Sequence, residues 1–154
     1  MTPILNILNE LKGVCLTVDP DLKVYSSYDQ MQSDLLDNLI NEGQVFWVLG
    51  AGHETFDAGW STDTPTYRCP ASVYLVGPER VMQDNNQNWI ADRLEGVRNT
   101  VRNGTFTTFQ QIEPATVDTR VTGEVLAILL SRAVTNLLGG CCYWDPGLIY
   151  VIEQ

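Results

Sequence analysis

The residues best suited to acid–base or metal chemistry lie in one polar stretch between Gly50 and Pro65. His53 is the single histidine of the chain, and Glu54 and Asp57 follow it closely. A metal-binding helix of the His-Glu type needs a second histidine on the same helix face, and this stretch has none. Its glycines also disfavour a helix. A solvated loop histidine is the favoured interpretation, and we predict no metal site.

The same stretch opens with Gly50-Ala-Gly52, which follows a candidate strand as the glycines of a dinucleotide-binding loop do. Thr55 stands where a third glycine is expected, and the residues after it lack the pattern of a helix packed on a sheet. Such glycines are more typical of a bulge or a turn. We therefore predict no cofactor.

Nucleophilic catalysis would have to combine His53 with Cys69 or with a nearby carboxylate, because the chain offers no other histidine as a base. The four cysteines contain no Cys-x-x-Cys pair, so a zinc site is not indicated, and buried reduced thiols are the expected state. They are Cys15, Cys69, Cys141 and Cys142. We predict that the chain is not an enzyme, with the His53 system as a minor alternative.

Two groups of residues are candidates for an interface. Phe56 and Trp60 are large apolar residues in the polar stretch, and they either contact a partner protein or fold back onto the chain's own core. Arg93, Arg98 and Arg102 concentrate positive charge in an acidic chain. They can pair with nearby carboxylates on their own helix, bind an anion, or form salt bridges to another subunit.

The 154 residues (17.2 kDa) predict one domain, residues 1–154, with a net charge of −10. Residues 1–65 hold ten acidic residues against two lysines (−8), and residues 66–154 hold nine against seven arginines (−2). This balance argues against direct nucleic-acid binding, which requires a basic surface. It fits a solvated acidic surface, or an acidic face that meets an arginine-bearing face of another copy.

Membrane insertion is not expected, because the longest apolar run, Val125–Leu130, is far shorter than the roughly 20 residues that span a bilayer. The N-terminus has no basic region before its apolar residues, so we expect no secretory signal and synthesis in the cytosol.

The spacing of apolar residues along the sequence predicts the helices and strands on which these candidate residues lie. Apolar residues recur with helical spacing in three segments. The helices are predicted at Thr2–Gly13, Tyr28–Asn41 and Asp84–Asn103. A fourth helix from Thr122, closed by Gly139-Gly140, competes with a strand through Val125–Leu130.

Short runs rich in β-branched and aromatic residues predict the strands. They lie at Lys23–Tyr25, Gln44–Gly50, Thr66–Gly77 and, more weakly, Thr105–Ile112. The turn triplet Asp145-Pro146-Gly147 between two apolar runs predicts a terminal hairpin. The sum is an α+β domain with a mixed or antiparallel sheet of four to six strands and three or four helices packed on it.

This order of elements resembles the small tail terminator and tail-completion proteins of tailed bacteriophages. The resemblance is one of layout, carried by Thr2–Gly13, Gln44–Gly77, Asp84–Asn103 and Leu148–Ile152. The predicted helix Tyr28–Asn41 and the apolar segment Val125–Leu138 are departures from that layout.

The resemblance implies a structural virion protein, assembled in the host cytoplasm, whose copies form a ring, typically a hexamer. Such a ring caps the tail tube and joins it to proteins of the neck. Contacts in a ring are heterologous, so one face of each subunit meets a different face of the next. The alternative function is a small protein- or ligand-binding α+β domain that uses the Gly50–Pro65 segment.

Overall fold

The computed structural model describes residues 3–25, 45–52, 55–56, 66–121 and 137–151. Within these ranges the chain forms α1 (Pro3–Val18), β1 (Lys23–Tyr25), β2 (Phe46–Ala51), β3 (Thr55–Phe56), β4 (Thr66–Pro78), α2 (Glu79–Asn103), β5 (Gln110–Gln111), β6 (Thr116–Val121) and β7 (Leu137–Val151). The α+β class is confirmed. The described sheet has seven strands, more than the four to six predicted. The predicted helix Tyr28–Asn41 and the segment Val125–Leu130 lie outside the described residues.

Helix α1 begins at Pro3, whose fixed φ suits the first position of a helix, and it continues past the predicted stop at Gly13. The reason is that the apolar stripe does not end there, since Val14 and Cys15 are both buried. Burial of these side chains outweighs the roughly 1 kcal/mol that a glycine costs inside a helix. The segment Val14–Val18 is therefore helical, and the strand follows at β1 as predicted.

The sheet is mixed. β1 runs parallel to β2, whereas every other described pair of neighbouring strands is antiparallel. The predicted pairing of β2 with β4 is confirmed, with Trp47 opposite Leu75 and Leu49 opposite Val73. These side chains lie on the face of the sheet that α1 and α2 cover, and all four are buried.

The two longest strands, β4 and β7, pair along nearly their whole length and form a ribbon through the middle of the sheet. The predicted terminal hairpin at Asp145-Pro146-Gly147 is wrong. The chain on both sides of this triplet pairs with β4, so the triplet forms a bulge inside one strand, opposite an irregularity at Pro70. Gly147 has φ of +31°, and a Cβ there would collide with Trp144. Position 147 therefore favours glycine.

Helix α2 begins directly after β4, five residues before the predicted cap at Asp84, and ends at Asn103 as predicted. Its apolar face is buried, as its spacing predicted: Ile90, Leu94, Val97 and Val101. The predicted closure of a helix at Gly139-Gly140 is wrong, because both glycines belong to β7, which begins at Leu137. The rest of that predicted helix lies outside the described residues. A Cβ on Gly140 would meet Leu94 Cδ1 at 2.5 Å and Ile90 Cγ2 at 3.0 Å. This glycine therefore lets α2 pack closely on the sheet.

The segment after α2 is held against α1 by hydrogen bonds to the Glu10 carboxylate. Glu10 of α1 accepts hydrogen bonds from the hydroxyls of Thr107 (2.9 Å) and Thr108 (2.7 Å), and from their backbone N–H groups at 3.3 and 3.4 Å. Partial burial acts to raise the pKa of Glu10, but the hydrogen bonds from Thr108 and Thr107 outweigh it and leave the pKa below its usual 4.5. Of the predicted strand Thr105–Ile112, the structure forms β5 alone.

Candidate interface sites

The exposed aromatic of the polar stretch is placed by a strand that the sequence did not predict. β3 pairs with the start of β4, Phe56 opposite Tyr67. The two rings meet edge to face, with centroids 5.6 Å apart and planes at 69°. Phe56 remains 62% exposed. It therefore presents a fixed aromatic surface at the edge of the sheet, which is the kind of side chain that anchors protein interfaces.

Other residues that the sequence singled out in this stretch lie outside the described residues. They are His53, Glu54, Asp57 and Trp60. The predicted roles of Trp60 at an interface and of His53 in solvent stay predictions.

Arg93 is held by contacts within its own chain. Its Nε lies 3.2 Å from Oδ2 of Asp19, and its guanidinium lies 4.5 Å from the centre of the Trp89 ring. The Asp19 side chain is only 14% exposed, so the pair is partly shielded from water. A cation that stacks on an aromatic ring and pairs with a carboxylate is poorly available to a partner. Arg93 therefore ties α2 to the end of α1.

The other two arginines are less constrained. Arg98 Nη2 lies 3.8 Å from Oε1 of Glu95, one turn away on α2, and both side chains are substantially exposed. Pairs of this kind contribute little to stability. Arg102 is exposed in the last turn of α2, where a positive charge complements the helix dipole. Both remain candidates for contacts with another subunit.

The described contacts of the predicted interface residues do not form one cluster. Phe56 contacts a ring at the β3–β4 edge, whereas Arg93 is fixed against α1 and Arg98 faces Glu95. An interface that used both groups would engage two separate places on the molecule.

The thiols are buried, as predicted, and none forms a disulfide. Burial raises the pKa of Cys15, Cys141 and Cys142 to about 12, so these thiols stay protonated at neutral pH. Cys69 is fully buried, and its thiol lies 3.6 Å from the carbonyl oxygen of Pro70. Such thiols are poor nucleophiles in the folded protein.

A pocket that the sequence did not predict lies between the second half of α1 and the edge strand β1. Its volume is about 370 Å³. It is lined by Lys12, Leu16, Pro20, Asp21, Leu22, Lys23, Val24 and Tyr25. The one feature of the sequence that points to this pocket is that Lys12 and Lys23 are the chain's two lysines. Because the two lysines belong to different elements, their spacing in the sequence did not predict that they line one pocket.

Within the described ranges, no three His, Cys, Asp or Glu side chains converge in a way that could hold a metal ion. Neither of the two described helices has the length and apolar character needed to cross a bilayer. Compared with known proteins, the chain matches no family model and no curated protein sequence.

Proposed function

We propose that the protein is a structural virion protein, a tail terminator of a tailed bacteriophage. Its copies form a ring, with six subunits as the expected number, that caps the tail tube and joins it to the neck. The protein acts without a cofactor and assembles in the host cytoplasm. This proposal rests first on the layout of the chain.

The observation that carries the proposal is the order of elements: an N-terminal amphipathic helix, an early strand, the β2–β4 pair, α2 and the closing strand β7. The same order is found in small phage tail-completion proteins, so the chain resembles them in the layout of its elements. Phe56 and Arg102 supply exposed apolar and charged surfaces at separate places, as heterologous contacts between ring neighbours require.

The direct test is the native mass of the purified protein by light scattering, at several concentrations and at low and moderate salt. A ring of six gives about 103 kDa, six times the 17.2 kDa chain. A monomer under every condition contradicts a ring that closes without the tail tube.

Phe56→Ser tests the aromatic contact. We expect the ring to weaken while the melting temperature hardly changes, because Phe56 is largely exposed in the subunit. Leu5→Ser is the matched control, since Leu5 is also an exposed apolar residue but lies on α1. Arg98→Glu with Arg102→Glu should also weaken assembly and reduce its dependence on salt. If neither variant changes assembly, Phe56 and the two arginines do not form the contacts between ring neighbours.

The alternative function is a protein- or ligand-binding domain that uses the Gly50–Pro65 segment. The exposed Phe56 favours it, because the side chain lies within this segment. Under this alternative the light-scattering mass is that of a monomer or dimer, and a cognate ligand raises the melting temperature.

A further inference from the structure

Both lysines of the chain line one pocket. Lys12 lies on α1, Lys23 is the first residue of β1, and both side chains are exposed. Neither has a hydrogen bond or an ion pair with any residue in the part of the chain that the structure describes. Arg93 differs, since it is bound to Asp19 and Trp89. The lysine ammonium groups are therefore available to an external anionic group.

The lining of the pocket combines polar and apolar surface. Leu16, Leu22 and Val24 contribute to its lining, and Leu16 is 40% exposed on a helix whose other face is buried in the core. A purely electrostatic site for a small hydrated anion gains nothing from such a surface. A ligand that carries apolar groups beside its charges gains from covering it, because apolar burial is favourable.

The pocket also runs along an edge of the sheet. β1 pairs with β2 on one side, and among the described strands it has no neighbour on the other. The outer side of an edge strand presents backbone N–H and C=O groups to an added strand. Extended peptides bind proteins in this way, with affinity from the backbone and specificity from pockets for alternate side chains.

The charge of the lining selects an acidic ligand. Lys12, Lys23 and Asp21 give it a net charge of +1, in a chain whose net charge is −10. The Asp21 backbone N–H donates to the Asp19 carboxylate, which also binds Arg93. An acidic protein repels acidic partners elsewhere on its surface, so an attractive site gives selectivity as well as affinity.

We propose that this pocket, defined by Lys12, Leu16, Lys23 and Val24, binds an extended acidic segment of a partner protein. The segment pairs its backbone with the outer edge of β1 and covers Leu16 and Val24 with an apolar side chain. Its carboxylates lie against the two lysines. The inference does not depend on ring formation.

The test uses the full chain and a short fluorescein-labelled peptide of alternating glutamate and leucine, with binding followed by fluorescence anisotropy at low and moderate salt. We expect the wild type to bind, and Lys12→Glu with Lys23→Glu to weaken binding by about tenfold or more. Arg98→Glu with Arg102→Glu changes the net charge equally, so it is the matched control. At a protein concentration where light scattering gives this variant and the wild type the same mass, it should bind nearly as the wild type. Lys12→Arg with Lys23→Arg should retain binding.

Two further probes test the geometry without changing the protein's fold. A peptide with alternate backbone amides N-methylated cannot pair along one edge, and we expect it to bind more weakly. A peptide of alternating glutamine and leucine lacks the carboxylates, and we expect it to bind more weakly.

Three results overturn the proposal. Equal loss of binding in the arginine control shows that net charge alone attracts the peptide. Displacement of the peptide by acetate or inorganic phosphate at low millimolar concentration shows a small-anion site. Dissociation of a wild-type oligomer by the lysine reversals shows that a second copy is the occupant.

Discussion

The ribbon formed by β4 and β7 has two halves that are bordered by different kinds of structure. On one side of the Asp145–Gly147 bulge, α2 packs on the strands through apolar side chains and the close approach at Gly140. On the other side, the ribbon is bordered by β5 and the segment between α2 and β6. That segment buries Phe109 and Ala115 and is also held by hydrogen bonds: Glu10 to Thr107 and Thr108, and Trp144 to Gln111.

The difference indicates how the free energy of unfolding is distributed. Apolar burial under a helix gives the largest single contributions, whereas hydrogen bonds contribute about 1 kcal/mol each. We therefore expect the helix-covered half to set the global stability. The half bordered by β5 should open at a lower free energy, because the segment beside it buries fewer apolar side chains than α2 does and depends more on hydrogen bonds.

The largest expected effect is in the helix-covered half. Leu94→Ala removes a fully buried side chain of α2 and should lower the free energy of unfolding by about 2–5 kcal/mol. Leu5→Ala on the exposed face of α1 is the control and should change it by less than about 0.5 kcal/mol. Urea denaturation measures both. If Leu94→Ala costs no more than the single hydrogen-bond deletions below, the two halves contribute alike and the comparison fails.

A smaller effect is expected where a hydrogen bond joins the ribbon to β5. Trp144 Nε1 donates to Gln111 Oε1 at 3.2 Å, so Trp144→Phe removes this bond and leaves Gln111 without that donor. Trp47 is equally buried on the same face, but its Nε1 has no acceptor among the described residues. Trp144→Phe should therefore cost about 1 kcal/mol more than Trp47→Phe. Equal costs in denaturation would show that the Trp144 bond does not stabilise the fold.

The smallest expected effect depends on pH. Because its folded-state pKa is lowered, ionised Glu10 stabilises the fold above about 4.5, and this contribution is lost as the pH falls through the folded-state pKa. Glu10→Gln should therefore be less stable than the wild type at pH 7, by about 1 kcal/mol, and the two should converge in acid. Denaturation at a series of pH values measures this. A constant difference across the series would exclude Glu10 ionisation as its cause.

Local patterns determined much of the fold. The start of α1, the positions of β1, β2 and β4, and the end of α2 follow from periodicity, β-branched runs and Pro3, because neighbouring residues alone decide these features. Burial of the four thiols also follows from composition and residue type. The exposure of Phe56 did not follow, because the sequence left an interface and self-burial equally open.

Tertiary pairing decided the rest. Asp145-Pro146-Gly147 has the local chemistry of a hairpin turn, but a long β4 offers partners to both flanks, so the triplet becomes a bulge. Gly139-Gly140 has the chemistry of a helix end, but Gly140 lies under α2 within a strand. Arg93 and Asp19 form an ion pair although they lie 74 residues apart in the chain, and Lys12 and Lys23, which line one pocket, belong to different elements. Contacts of that kind depend on how the helices and strands pack together, and local sequence patterns do not determine this packing.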